Sequence, residues 1–170
     1  MSAASISDEQ TAARELVRSW ASASETTAAA RAVEHGDADA WQEPFRGLAE
    51  LGLFGVAVPE SLSGAGGGVA DLCAMLEEAA YALVPGPVVT TALAALLVDD
   101  EQVLGNLMSG QRSAGLALEG DLRCESARVS GTLPVVLGAK PGEYVIADAG
   151  TQWLLVDTSN DGATVEPLTA

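Results

Sequence analysis

Residues 47–69, GLAELGLFGVAVPESLSGAGGGV, constrain this chain more than any other stretch, because a helical end, an extended run and a glycine cluster succeed one another without a break. Leu48, Leu51, Leu53 and Phe54 are apolar at roughly helical spacing, and Gly52 and Gly55 interrupt them. Pro59 disfavours helical backbone at Val58 and favours an extended entry. Gly64, Gly66, Gly67 and Gly68 then permit backbone angles that other residues resist. The residues before this stretch read as helical, and the arrangement of those after it depends on how it turns.

Upstream, Ser7 and Gln10 have the spacing of a capping box, and Leu16, Val17 and Trp20 supply an apolar stripe, so a helix starts near Asp8 after a frayed residue 1–6 segment. The Ser/Thr/Ala stretch at 22–30 reads either as a weak continuation of that helix or as a loop, closed by Gly36. A second helix begins after Asp37 or Asp39, either of which can cap it, with Trp41, Phe45, Leu48 and Leu51 on its buried side. A third runs from Asp71 to about Leu83, with Leu72, Met75, Leu76 and Ala79 on one side and Glu77-Glu78 on the other. Pro85-Gly86-Pro87 stops it. Val88 to Val98 restarts as an almost uncharged helix that should be buried on most sides or against another subunit, and a short helix from Glu101 to Met108 closes at Ser109-Gly110.

After Gly110 short runs rich in Val, Leu and Tyr alternate with turns, at 113–118, 126–129, 135–137, 144–147, 153–156 and 164–166. That spacing predicts a meandering antiparallel sheet. The chain therefore reads as five helices followed by a β module.

Acidic residues number 24 against 8 basic ones, for a formal net charge of −16. Such a surface repels polyanions and speaks against nucleic-acid binding. The same field opposes phosphate-bearing ligands, which would need local Arg groups, helix N-termini or a partner chain. No apolar run reaches the roughly 18 residues of a membrane span, and no signal-peptide pattern opens the chain, so a cytoplasmic protein free of membrane is the simplest expectation. Cys73 and Cys124 lie far apart and His35 is the one histidine, which leaves no metal-site spacing. Both cysteines read as small buried hydrophobes.

The order of a helix, L-G-L-F-G-V-A-V-P-E, a glycine turn and the helix V-A-D-L-C-A-M-L-E-E-A-A-Y-A-L resembles the N-terminal helical domain of the acyl-CoA dehydrogenases. Family members carry a double glycine after the Pro-Glu, where this chain has Ser63-Gly64. The resemblance spans about Trp41 to Asp157. It implies an α+β fold, an N-terminal all-α bundle at 1–110 followed by a partial antiparallel β-domain at 111–170. The family's C-terminal helical bundle is absent, so the molecule was either cut or finds its remainder on another chain. It also implies flavin-dependent α,β-desaturation of an acyl-CoA thioester, with FAD as cofactor. The family's glutamate base removes the α proton while hydride leaves for the flavin, and that glutamate belongs to the missing bundle. No residue here matches it, so no catalytic residue is assigned and the chain alone is expected to be inactive.

The flavin-contacting strands of the family align with Ala117-Leu118-Glu119-Gly120-Asp121, where Ala-Leu-Thr-Glu-Pro is usual, and with residues 129–147. On that alignment Leu118, Glu119, Val135, Val136 and Leu137 are the candidate cofactor-binding residues. Val135 stands where an aromatic covers the flavin, Leu137 where a hydroxyl bonds to it, and Leu133 where a Lys is usual. The missing polar side chains point away from flavin being held by this chain alone. They resemble one subunit of the actinobacterial heteromeric dehydrogenases acting on steroid CoA esters. The implied partners are an acyl-CoA substrate and a homologous subunit or a second copy; a non-catalytic assembly subunit is the alternative.

Other residues have plainer expectations. Arg112, Arg123, Arg128 and Lys140 are either CoA-phosphate ligands or scattered surface bases, with the second the default. Residues 64–68 read as a turn, since they lack the Lys and Ser/Thr of a phosphate loop. Trp20, Trp41 and Trp153 read as core or interface anchors, His35 as a solvated loop residue, and Glu77-Glu78 as the wet face of their helix.

Overall fold

A computed structural model describes residues 7–125, 128–150 and 152–166. The expected frayed start at 1–6 and the first residues of the 126–129 run lie outside them. Among the described residues there are six α-helices and five strands: α1 Asp8–Ala23, α2 Thr26–Glu34, α3 Gln42–Glu50, α4 Val69–Tyr81, α5 Val88–Leu97, α6 Glu101–Met108, β1 Ala114–Ala117, β2 Asp121–Glu125, β3 Arg128–Thr132, β4 Tyr144–Asp148 and β5 Trp153–Asp157. An all-α front half and a β back half make the α+β fold the sequence indicates.

The capping box of α1 forms as its spacing predicts. Gln10 N–H donates to Ser7 Oγ at 3.1 Å, and Ser7 N–H donates to Gln10 Oε1 at 3.2 Å. The Ser/Thr/Ala stretch is a separate helix, α2, because Thr26 is buried and its hydroxyl donates to the Ala82 carbonyl at 2.7 Å, anchoring an otherwise weak helix former to the end of α4. Neither Asp37 nor Asp39 caps α3. Asp37 instead accepts from Asp39 N–H at 3.1 Å, and α3 opens at Trp41 without a side-chain cap. The α4 start uses Asp71, whose carboxylate accepts from Gly68 N–H at 2.8 Å.

Two non-glycine residues adopt left-handed backbone. Ser63, where the resembling family carries glycine, has φ +65°. Leu83 has φ +55° and ends α4 in a paired hydrogen-bond closure, Leu83 N–H to Ala80 and Val84 N–H to Ala79, both at 3.0 Å.

The core is layered. Phe45, Leu48, Leu53, Phe54, Leu72 and Met75 fill the space between α1, α3, α4 and the start of α5, with the Phe45 and Phe54 ring centroids 4.7 Å apart. A second cluster, including Ala94, Leu104, Leu107, Leu116 and Ile146, joins α5 and α6 to the sheet across Gly110.

The sheet corrects the antiparallel meander in one respect. Its order is β1-β4-β5, with β1 and β4 parallel and β4 and β5 antiparallel, while β2 and β3 form a separate antiparallel hairpin. Residues 118–143 lie between β1 and β4 and are long enough for the crossover a parallel pair needs. Every residue of β1 is buried and β4 is buried along almost all its length, the continuous apolar texture of strands covered on both faces. β2 lies in none of the runs that the sequence marks as strand-like, and residues 164–166 form no strand.

Two other expectations fail. Cys73 and Cys124 are exposed rather than buried. Glu78 is not on the wet face of α4: it is buried, and Arg18 grips it through Nε at 3.1 Å and Nη2 at 2.5 Å. Glu77 does stay exposed, paired to Arg14 at 2.6 Å.

Candidate functional site

The segment between β3 and β4 decides where the sequence-derived site residues end up. At Leu137 it forms a two-bond antiparallel bridge with Leu116 of β1, each N–H donating to the other's carbonyl at 2.9 Å. Val136 lies over Gly115, where an added Cβ would stand 2.9 Å from Val136 Cγ1, so only glycine allows this approach. Gly138 then packs on Pro87 and Thr90. Lys140 reaches Asp39 at 2.5 Å and lies 5.6 Å from the centroid of the Trp41 ring. The segment is thus a strap drawn across the end of α4 and the start of α5.

Under the strap is a hollow of about 280 Å³, lined among others by Leu76, Ala80, Val84, Pro87, Val89 and Leu137. None of its lining side chains is charged. Thr90 supplies the one polar side chain, and its hydroxyl donates to the Pro87 carbonyl at 3.1 Å. Gly86, in the turn forming the wall, has φ +105° and backs onto the Trp41 ring, so a side chain there would be strained and obstructed. Such a lining can take hydrocarbon and offers no proton-transfer group.

A second hollow, about 400 Å³, opens beyond the C-terminal end of β1. Leu118 and Leu122 contribute hydrocarbon, while Glu119, Asp121 and Asp148 contribute carboxylates. Asp148 accepts from Gly150 N–H at 2.7 Å.

The five candidate cofactor residues therefore separate. Leu118 and Glu119 border the acidic hollow, Leu137 borders the uncharged one, Val136 is wedged against β1 and Val135 faces solvent. Leu118, Val135 and Leu137 are 61%, 49% and 55% exposed. An isoalloxazine ring needs hydrogen-bond donors, and a dinucleotide needs cations for its phosphates. Here the Leu116 and Leu137 N–H groups each donate to the other residue's carbonyl, the side chains at 135–137 are hydrocarbon, and the rim beside Leu118 is anionic. The side chains of these five residues supply neither a donor to an isoalloxazine ring nor a cation to a dinucleotide phosphate.

The bases considered for CoA phosphate divide as well. Arg112 is committed: its guanidinium donates to both Asp157 carboxylate oxygens at 2.9 and 2.6 Å and to the Gly142 carbonyl at 2.7 Å, and lies 3.6 Å above the Tyr144 ring. The pairing with Arg112 holds the Asp157 carboxyl well below the usual carboxylate range, with Ser159 assisting. Lys140 likewise holds Asp39 below its ordinary value. Arg123 and Arg128 stand exposed on the β2–β3 hairpin, as surface bases do. Sequence reasoning missed the Arg112 cluster, although an Arg just ahead of one apolar strand and an Asp closing another is the pattern that could have revealed it.

Among the described residues there is no cluster of His, Cys, Asp and Glu able to hold a metal ion, and no helix is long and apolar enough to cross a membrane. Residues 7–101 match the sequence profile of the acyl-CoA dehydrogenase N-terminal domain. The chain is 52% identical over 177 aligned positions to acyl-CoA dehydrogenase FadE34 of Mycobacterium tuberculosis, covering 98% of this chain and 25% of that protein. It is 34% identical over 120 positions to acyl-CoA dehydrogenase IpdE2 of the same organism, covering 67% of this chain and 38% of that protein. Among solved structures it matches the Tcur3481-Tcur3483 steroid ACAD G363A variant with a TM-score of 0.73 at 29% identity, covering 93% of this chain and 50% of that one. The ChsE4-ChsE5 complex of M. tuberculosis matches with a TM-score of 0.69 at 20% identity, over 96% of this chain and 51% of that one, a likeness of fold. The chain thus spans a quarter to about half the length of these relatives. A profile covering more than half of its residues and a relative identical at every second position leave one conclusion: the chain belongs to the acyl-CoA dehydrogenase family.

Proposed function

We propose that this chain serves the flavin-dependent α,β-desaturation of an acyl-CoA thioester as one part of an assembly, with the catalytic base and the flavin seat supplied outside these 170 residues. Its own share is to wall the acyl group. The uncharged hollow between α4, the 84–90 turn and Leu137-Gly138 carries this reading, because its lining is hydrocarbon and places no group that would compete for the α proton. The two solved relatives bear names of two-component proteins, one of them a steroid ACAD, which supports a homologous subunit as the partner and a steroid CoA ester as the substrate class. Cytoplasmic placement goes with that chemistry.

The test is turnover of a steroid CoA ester by this chain co-expressed with a homologous acyl-CoA dehydrogenase subunit. Ala80→Trp fills the hollow from its exposed rim and should reduce kcat/KM for the bulky ester by about tenfold while sparing a short acyl-CoA. Equal effects on both substrates would remove the hollow from the acyl path. The exposure of Leu118, Val135 and Leu137 favours a second reading, a non-catalytic assembly subunit. Loss of complex formation, and of turnover with it, on Leu118→Glu, Val135→Glu and Leu137→Glu, together with indifference to Ala80→Trp, selects it.

A further inference from the structure

Lys140 is the chain's one lysine, and its ammonium meets the Asp39 carboxylate, 101 positions earlier in the sequence, at 2.5 Å. Asp39 is itself held in place: the Gln42 amide donates to its carboxylate at 2.9 Å, and its own N–H donates to the Asp37 carboxylate at 3.1 Å. The same ammonium lies 5.6 Å from the centroid of the Trp41 ring, within reach of a cation–π attraction. Trp41 stands edge-on to Phe45 with centroids 5.2 Å apart, which ties the ring to the helical core. Gly86 abuts that ring so closely that an added Cβ would stand 2.8 Å from its Cε3. One indole thus backs the 84–90 wall of the uncharged hollow and also receives the cation of the strap that forms another wall.

The strap is also fastened by the two bonds between Leu116 and Leu137 and by Gly138, whose φ of +70° and approach to Pro87 and Thr90 leave no room for a side chain. These contacts hold it at its middle. The Lys140 pair holds the end that leads back to β4, and it alone ties the strap to the segment ahead of α3. A partly exposed ion pair adds little to the stability of a whole chain, so its effect is local. We infer that Asp39, Lys140 and Trp41 form a latch that sets the gap between the strap and the 84–90 turn, and with it the width of the group the hollow admits. They are positioning residues: Leu137 and Gly138 line the hollow, whereas Asp39, Trp41 and Lys140 do not. This inference rests on the proposed reading only in taking the acyl group as the hollow's occupant; the latch itself is a property of the chain.

Amide exchange at Leu137, whose N–H closes the bridge to Leu116, reports on the strap in the full chain. Lys140→Met keeps the length of the side chain and removes its charge. It should accelerate that exchange by at least about threefold while the β4 amides and the urea midpoint stay as in wild type. Asp39→Asn should do the same, and the two substitutions together should do no more than either alone, since each cuts the same interaction. Lys140→Arg keeps the cation over the ring and should exchange as wild type does. Salt at about 1 M should bring wild type towards Lys140→Met. In the co-expressed complex, Lys140→Met should raise KM for a steroid CoA ester severalfold at nearly constant kcat and leave a short acyl-CoA unaffected. Unchanged exchange at Leu137, or additive effects of Lys140→Met and Asp39→Asn, overturns the inference. So does unchanged KM for the bulky ester where Ala80→Trp still separates the two substrates. Indifference to Ala80→Trp defeats the proposed function instead, and the exchange at Leu137 then decides the latch by itself.

Discussion

Thr91 is fully buried in α5, and its hydroxyl oxygen accepts the N–H of Ala114, the first residue of β1, at 3.0 Å. It is a polar hook between the helical half and the sheet. Thr91→Val keeps the side-chain shape, removes the acceptor and leaves a buried N–H with no partner, a loss of about 1–3 kcal/mol. Thr91→Ser keeps the acceptor and removes one methyl, a loss of about 1 kcal/mol. The isosteric valine should therefore be the more damaging change. A loss of about 2 kcal/mol corresponds to a fall in Tm of about 6 °C for a chain of this size. Urea unfolding should show the midpoint order wild type, Thr91→Ser, Thr91→Val, and amide exchange at Ala114 should accelerate specifically in the valine variant. If Thr91→Val unfolds at or above the midpoint of Thr91→Ser, the hydrogen bond does not join the two halves, and the second apolar cluster alone must.

Leu83→Gly should raise the stability measured by urea unfolding by about 0.5 kcal/mol, because relief of left-handed strain of about 1–2 kcal/mol exceeds the glycine's added unfolded-state entropy; a loss of stability would mean that the Leu83 side chain contributes contacts of its own. Arg18 first, and Arg14 with it, depress the Glu78 carboxyl below its ordinary 4.5 against the opposing effect of burial. Because the folded value is the lower one, this contribution is complete above about pH 4.5 and disappears as pH falls through the folded value, so acid unfolding curves of Glu78→Gln should be flatter in that window than those of wild type. Arg112→Lys replaces a two-pronged, ring-stacked guanidinium by a single ammonium and should cost about 1–2 kcal/mol in urea unfolding, without recovery at higher salt.

The helical half was legible wherever a local signal marks a boundary. Ser7 and Gln10 announce α1, Pro85-Gly86-Pro87 marks the break between α4 and α5, and Gly110 separates the halves. The features that stayed hidden depend on partners distant in sequence. α2 is held by a Thr26 hydroxyl that finds Ala82, a contact absent from any local window. Glu78 lies four residues after Ala74 and three after Met75, so its helical phase placed it on the apolar face, and Arg14 and Arg18, one turn apart on α1, were its waiting counter-charges. The runs that became β1 and β4 were visible as apolar segments, but such segments do not state whether their neighbours run with or against them. At the candidate site the alignment could not show that Leu118 and Glu119 border an acidic hollow while Leu137, bridged to Leu116, borders an uncharged one.

The middle position of β4 in the sheet has a consequence for biosynthesis. β1 leaves the ribosome well before Tyr144, and until that residue is made the β1 backbone lacks the strand it will pair with, while Leu104 and Leu107 lack part of the surface that will cover them. The nascent helical half therefore carries an open apolar flank during translation, and a chain arrested before β4 should engage chaperones more than one extended far enough for β5 to clear the ribosome.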